Sequence, residues 1–297
     1  MDIQHPAQNI TPSFSIHEPA EHKAPVIFNA PHAGNLYSQD FLNSSRLGSL
    51  ALRRSEDAHV DKLYAGVVQL GAPLMVAHFP RAYLDLNREP YELDPRLFNS
   101  KLPSYANARS VRVAGGLGTI PRVVGEGQDI YPGRITLEEG LGRIEALHKP
   151  YHCALQNRLD LAAAKFGAVL LIDCHSMPTP SAKPGQSLPP DIVLGDRFGR
   201  SCSPAITGFL EQAFQARDYR VARNRPYAGG YITEHYGQPA NGRHAIQIEI
   251  SRALYMNEFS LEPTANFVRL AQDLVAIAAQ LMRMAPTLLS SMREAAE

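Results

Sequence analysis

Tryptophan is absent from this 297-residue chain, and cysteine appears only three times, at Cys153, Cys174 and Cys202. An odd, widely spaced set with no Cys-x-x-Cys pair excludes a disulfide framework and a cysteine zinc site. It suits a reducing compartment, so a cytoplasmic location is expected. Net charge is lacking as well, because 29 Lys and Arg balance 29 Asp and Glu. No overall field favours nucleic acid or an anionic membrane, neither is expected as a partner, and any anion binding has to be local. The longest apolar run, FGAVLLI at 166–172, is far too short to span a bilayer. The opening MDIQHPAQNI lacks the basic-then-apolar pattern of a secretion signal. There is no GxGxxG after the first predicted strand, no GxxxxGK[ST] and no GxSxG, which argues against nucleotide cofactors and a serine-hydrolase elbow.

What is present is an ordinary globular composition, 44% hydrophobic and 20% charged. Buried strands are predicted at 24–31, 72–79, 167–173, 191–195 and 244–251. Helical spacing falls in the second half of 45–71, across 136–167, at 201–218 and roughly at 260–285. Thr136 with Glu139 forms a capping box, and Pro150 is expected to kink or divide the helix that follows. Alternating strands and helices predict an α/β fold, a sandwich with a largely buried sheet. Residues 1–23 read as a partly ordered lead-in, and 89–134 as a loop-rich insertion of the kind that often carries function.

Chemistry-bearing residues gather where strands end. NAPHAG (29–34) sets His32 just past one strand, and LLIDCHSMP (170–178) sets His175 just past another. Sites in open α/β sheets collect beyond the carboxyl ends of strands, so the two imidazoles are paired here as metal ligands. Either one alone would read as a turn histidine. Two histidines and a carboxylate make a recurrent catalytic zinc set. For the carboxylate, SEDAHVDKLY (55–64) offers Glu56 and Asp57, and Asp57 is taken, although such charge runs often form a solvated helix face. Asp173, two residues before His175, is placed to face the same way and steady it. In HAIQIEIS, Ile246, Ile248 and Ile250 alternate with Gln247, Glu249 and Ser251, so Glu249 is a carboxylate in a mostly apolar strand. It reads either as an ion-pair partner of Arg243 or Arg252 or as a general base. In RAYLDLNREP (81–90) the alternation of Leu84 and Leu86 with Tyr83, Asp85 and Asn87 suggests a strand end ahead of Pro90. The paired Gly229 and Gly230, followed by Tyr231, read as a shaped loop near a ligand.

Taken in order, NAPHAG, SEDAHVDKLY, RAYLDLNRE, LIDCHSMP, GGYITEHYGQP and HAIQIEISRALYM resemble the N-formylglutamate amidohydrolase family over roughly 25–256. That family is similar to zinc carboxypeptidases and aspartoacylase. The resemblance implies a single catalytic domain, here 24–297, built as a three-layer sandwich with a central mixed, mostly parallel β-sheet flanked by helices. It implies one zinc ion held by His32 and His175, with Asn87 and Arg88 gripping a substrate carboxylate. Asp85 would fix Arg88 from behind, Arg81 would be a cation near the scissile carbonyl, and Glu249 would be the catalytic glutamate. The usual His-x-x-Glu reads HAGN here, so the carboxylate ligand does not carry over by position. The implied reaction is zinc-dependent hydrolysis of N-formyl-L-glutamate, a small anionic N-acyl amino acid, to formate and L-glutamate, as in histidine degradation. Runners-up are the same chemistry on another N-acyl amino acid or small peptide, and a non-catalytic anion-binding relative. For the second carboxylate of a glutamate, Arg96, Arg109, Arg122, Arg134 and Arg223 are all eligible.

Overall fold

The computed structural model describes residues 11–125, 127–179 and 188–290. Residues 1–10 of the expected lead-in lie outside the described residues. Among the described residues nine strands follow in chain order: β1 (Phe14–His17), β2 (Val26–Ala30), β3 (Leu74–Ala77), β4 (Val123–Val124), β5 (Gln128–Asp129), β6 (Val169–Met177), β7 (Ile192–Gly195), β8 (Val221–Arg223) and β9 (Arg243–Ser251). Seven make one sheet in the order β1-β3-β2-β6-β9-β7-β8, while β4 and β5 pair separately. β2/β6, β6/β9 and β7/β8 run parallel and β7/β9 antiparallel. This is the expected mixed, mostly parallel sheet with flanking helices.

The chain forms two compact units. Of the described residues, the first takes in those within 11–15, 31–58 and 76–155, and the second those within 16–30, 59–75 and 156–290. The second unit is built on β2, β6, β9, β7 and β8, one face of which carries Val26, Phe28, Ile172, Ile246, Ile248 and Leu194. The closing helix, Phe267–Ser290, repeats Leu270, Leu274, Ile277, Ala278 and Leu281 at helical spacing, and all five are buried. Together with Tyr64, Leu210 and Phe214 they enclose the apolar face that carries Phe28, Ile172 and Ile248. Burying a Leu, Ile or Phe side chain stabilises by roughly 1.5–3 kcal/mol, so this face anchors the sheet. Period-2 geometry then obliges Asn29, Asp173, His175, Gln247 and Glu249 to share the other face.

The first unit is loop-rich and is knotted around Arg143, which is 1% exposed. Its Nη1 donates to the Tyr131 hydroxyl (2.6 Å) and the Tyr83 carbonyl (3.2 Å), and its guanidinium lies 3.9 Å from the Tyr83 ring centroid. Glu139, one turn earlier, completes the ion pair. Ahead of Pro150 the α-helix is interrupted rather than ended. The backbone passes from α-helix (Leu137–Arg143) through a π-helical turn (Ile144–His148) and on to α-helix (Lys149–Phe166). The wider turn lies just where the Pro150 ring would clash with the preceding carbonyls of a regular helix.

Three local expectations differ from the structure. Residues 81–90 form turns, not a strand end: Tyr83 N–H donates to the Pro80 carbonyl and Asp85 N–H to Thr119, and nearly every residue from 82 to 88 is buried whatever its parity. The helical stretch ending at Gly71 breaks into Val60–Tyr64 and Val67–Leu70. The loop at 225–239 contains a short helix, Tyr231–Tyr236. Strands β1, β4, β5 and β8 were not predicted. No helix among the described residues is long and apolar enough to cross a membrane.

Candidate metal centre

His32 is fixed by its backbone before its ring is considered. Strand β2 ends at Ala30, and the His32 carbonyl accepts from Asp57 N–H at 3.0 Å. A Cβ on Gly34 would lie 2.2 Å from the Phe79 carbonyl oxygen, so only glycine lets the NAPHAG turn pass this close to the 78–79 backbone. Leu36 N–H then donates to the His78 carbonyl. In the ring, Nε2 lies 2.7 Å from Asp85 Oδ1, and Nδ1 lies 3.5 Å from Asp57 Oδ2. A carboxylate accepts, so Nε2 carries the proton and Nδ1 presents the lone pair.

The second unit repeats the arrangement on the polar face of its sheet. His175 Nε2 donates to Asp173 Oδ2 at 2.8 Å, and Asp173 Oδ1 accepts from Asn29 Nδ2 at 2.9 Å. This again leaves Nδ1 as the ligating nitrogen. The β6/β9 register sets His175 opposite Glu249 and Asp173 opposite Gln247. Gln247 links the row: its Nε2 donates to Glu249 Oε1 (2.7 Å) and its Oε1 accepts from Gly230 N–H (3.0 Å). Gly229 has φ of 114°, and a Cβ there would meet the Thr233 hydroxyl at 2.4 Å, so the paired glycines shape the entry to the 231–236 helix. Tyr231, on that helix, stacks on His235.

His32, Asp57 and His175 each offer a ligand atom within 4.8 Å of the others, and all three residues are buried. Their chemistry fits a divalent metal. Bonds of 2.0–2.1 Å at tetrahedral angles separate neighbouring ligand atoms by about 3.3 Å, close to the 3.5 Å found between His32 Nδ1 and Asp57 Oδ2. Both imidazoles are oriented by carboxylates through the other nitrogen, as metal-ligating histidines usually are. The group could therefore hold a metal ion. Glu56, the rival carboxylate, is engaged elsewhere: it accepts from the Tyr37 hydroxyl (2.7 Å) and from Arg53 Nε (3.2 Å).

Asp85 joins this cluster to the arginines. Its Oδ1 also accepts from Asn87 N–H (2.8 Å), and its Oδ2 from Arg81 Nε (3.0 Å), with Arg88 Nη2 at 3.5 Å. Burial alone would raise the Asp85 carboxyl, but Arg81, Arg88 and His32 hold it well below the usual carboxylate range. Burial pulls Arg88 down to about 10, with Arg81 and Arg112 acting in the same direction and Asp85 against them; it stays a cation at neutral pH. Arg88 is aimed by Nε to the Leu117 carbonyl (2.8 Å) and Nη1 to the Asn87 carbonyl (2.7 Å). His148 and His152, one turn apart, donate from Nε2 to the carbonyls of Arg88 and Leu86, each at 2.9 Å, and so clamp the backbone on both sides of Asn87. Sequence reasoning missed this pair and also the Asp85–His32 contact. The spacing in HKPYH, two imidazoles at i and i+4, was the available signal for the clamp.

Two buried imidazoles, one just past β2 and one within β6, and a carboxylate from the turn ahead of the Val60–Tyr64 helix, with a further acid beside them, form the donor pattern of a metal-dependent hydrolase. Comparison with known proteins narrows the class. The family model described as N-formylglutamate amidohydrolase matches residues 24–256, and the chain belongs to that family. It is similar to the N-formylglutamate deformylase of Pseudomonas putida, 30% identical over 264 residues, 88% of this chain and 92% of that one. The deformylase of Pseudomonas aeruginosa is 29% identical over 80% of this chain and 84% of its own length. A solved structure of N-formylglutamate amidohydrolase from Ralstonia eutropha JMP134 superposes with a TM-score of 0.85 at 34% identity, covering 92% of this chain and 99% of that one. A gene product of Agrobacterium tumefaciens shares the fold, with a TM-score of 0.60 at 20% identity, over 95% of this chain and 96% of that one.

Proposed function

We propose that this protein hydrolyses N-formyl-L-glutamate to formate and L-glutamate, with one zinc ion at His32, Asp57 and His175. The observation that carries the reading is the buried convergence of those three ligand atoms in a member of this family. When bound, zinc supplies a Lewis acid that makes water nucleophilic at neutral pH. Asp85 and Asp173 keep the two imidazoles in the ligating tautomer. Glu249, opposite His175 in the sheet, takes the proton of the attacking water and passes it to the amide nitrogen as the C–N bond breaks. Asn87 and Arg88 hold a substrate carboxylate, Arg88 through two parallel hydrogen bonds, and Arg81 offsets charge developing on the formyl oxygen. Gly229, Gly230 and Tyr231 shape the wall above Gln247 and Glu249. In this reading 24–297 acts as one catalytic domain in the cytoplasm, at the end of histidine degradation. The three free cysteines accord with a reducing compartment.

The test is turnover of a panel of formyl, acetyl and succinyl amino acids by zinc-loaded protein. N-formylglutamate should be the preferred substrate. Glu249→Gln should keep its zinc and lose about 10²–10⁴ in kcat, the span of general acid–base catalysis. Turnover by that variant at the wild-type rate would remove Glu249 from the mechanism.

A further inference from the structure

N-formylglutamate carries two carboxylates, and Arg88 accounts for one. Of the cations eligible for the other, Arg96 is bound to Asp94, Arg122 to Asp94 and Asp129, and Arg223 to Glu211. Arg109 and Arg134 line, with Lys101, a groove of about 720 Å³ walled by the 95–109 segment; no metal-group residue, nor Asn87 or Arg88, contributes to it.

We propose that Arg112, absent from the sequence-based candidates, grips the second carboxylate and sets the preference for an acidic amino acid. The inference rests on the reading of the substrate above. Arg88 Nε donates to the Leu117 carbonyl, and Leu117 N–H donates to the Arg112 carbonyl, each at 2.8 Å. Two hydrogen bonds across one residue therefore tie the Arg112 backbone to the Arg88 guanidinium. The short helix bearing it, Val111–Ala114, is held by the Ser110 hydroxyl, which accepts from Val113 N–H and donates to Glu92. The Arg112 side chain is exposed and has no acid partner among the described residues. Its charge reaches Arg88, whose affinity for a proton it lowers along with burial and Arg81. Around Arg88, the guanidiniums at 81 and 112 add to its own charge while Asp85 and Glu92 oppose it, and both carboxylates are already hydrogen bonded. A local surplus of positive charge in a chain with none overall suits a ligand that is doubly negative.

The experiment measures kcat and KM of zinc-loaded wild type, Arg112→Ala, Arg112→Lys and Arg112→Glu on N-formylglutamate and on N-formylglutamine, its isostere with a neutral side chain. The alanine variant should raise KM for N-formylglutamate about 10- to 100-fold, the range of a charge-assisted hydrogen bond, with little change in kcat and none on N-formylglutamine. Lysine should restore part of the loss, and glutamate should deepen it. Arg109→Ala is the control and should leave the glutamate-to-glutamine ratio unaltered. Wild-type turnover of N-formylglutamate with an unchanged ratio in all three Arg112 variants would overturn the assignment, as would a collapse of the ratio in Arg109→Ala. Failure of the wild type to hydrolyse N-formylglutamate would instead refute the substrate reading, and the assignment with it.

Discussion

Replacing Asp85 by asparagine keeps the shape of the side chain and removes its charge, which separates the carboxylate's two tasks. The first is electrostatic. Arg88 is 4% exposed and would lose the counter-charge of Asp85, with Glu92 remaining, while Arg81, 29% exposed, remains screened by water. Removing one partner of a buried pair costs about 3–5 kcal/mol. Arg88 keeps hydrogen bonds to the Leu117 and Asn87 carbonyls, so the expected loss is smaller, about 2–3 kcal/mol. The second task is to orient His32. With an amide in place of the carboxylate, Nε2–H loses a charged acceptor and the ligating tautomer loses its support, so metal affinity should fall about 10- to 100-fold. Urea unfolding of metal-free protein measures the first effect, and competition with a chelator measures the second. Asp94→Asn is the control, since Asp94 is equally buried and pairs with Arg96 and Arg122 away from any ligand. That variant should be destabilised yet bind metal as the wild type does. Wild-type metal affinity in Asp85→Asn, or an equal loss in Asp94→Asn, would refute the reasoning.

Two other outcomes are expected. His148→Phe should raise KM for N-formylglutamate through a loosened Arg88 backbone, and His148→Gln, which retains an N–H donor, should recover part of it; steady-state kinetics on both variants checks this. Burial lowers the His244 imidazole to about 4, and its Nδ1 accepts from Ser203 N–H, so the folded protein holds it neutral. The unfolded chain takes up that proton as pH falls through 6.5. Stability from this group is thus complete above pH 6.5 and drains away between 6.5 and 4, by about 3 kcal/mol. His244→Asn should lack this component of the slope in urea unfolding of metal-free protein at pH 7 and pH 4.5.

Period and punctuation made the buried strands legible, because a sheet with apolar neighbours on one face writes that face plainly into its sequence. Ile246, Ile248 and Ile250 identified β9, and the same alternation placed Gln247 and Glu249 on the side where the structure has them. A strand end also located His32, whereas His175, expected just past a strand, lies inside β6, which runs on to Met177 because Cys174, Ser176 and Met177 continue the pairing with β9. The turn at 81–90 was misread for the opposite reason. There the alternating leucines and polar groups are all buried, since Asp85, Asn87 and Arg88 satisfy one another and the backbone. A polar residue that is buried by pairing leaves the same trace as one facing water. Strand β8 was missed because Val221–Arg223 is three residues long and half-exposed, too short to carry a period. The contacts of Asp85 with His32 and of His148 with Arg88 join residues 53 and 60 positions apart; the HKPYH spacing marks a paired imidazole face but not the segment it clamps.

The account depends on one metal ion at the convergence of His32, Asp57 and His175. The most direct test is an anomalous difference map from crystals of the active protein, recorded on either side of the zinc absorption edge. The account predicts a single peak about 2.0–2.2 Å from one nitrogen of each imidazole and one oxygen of Asp57. A fully active protein whose map is empty at that point, or whose only peak lies elsewhere, would contradict it.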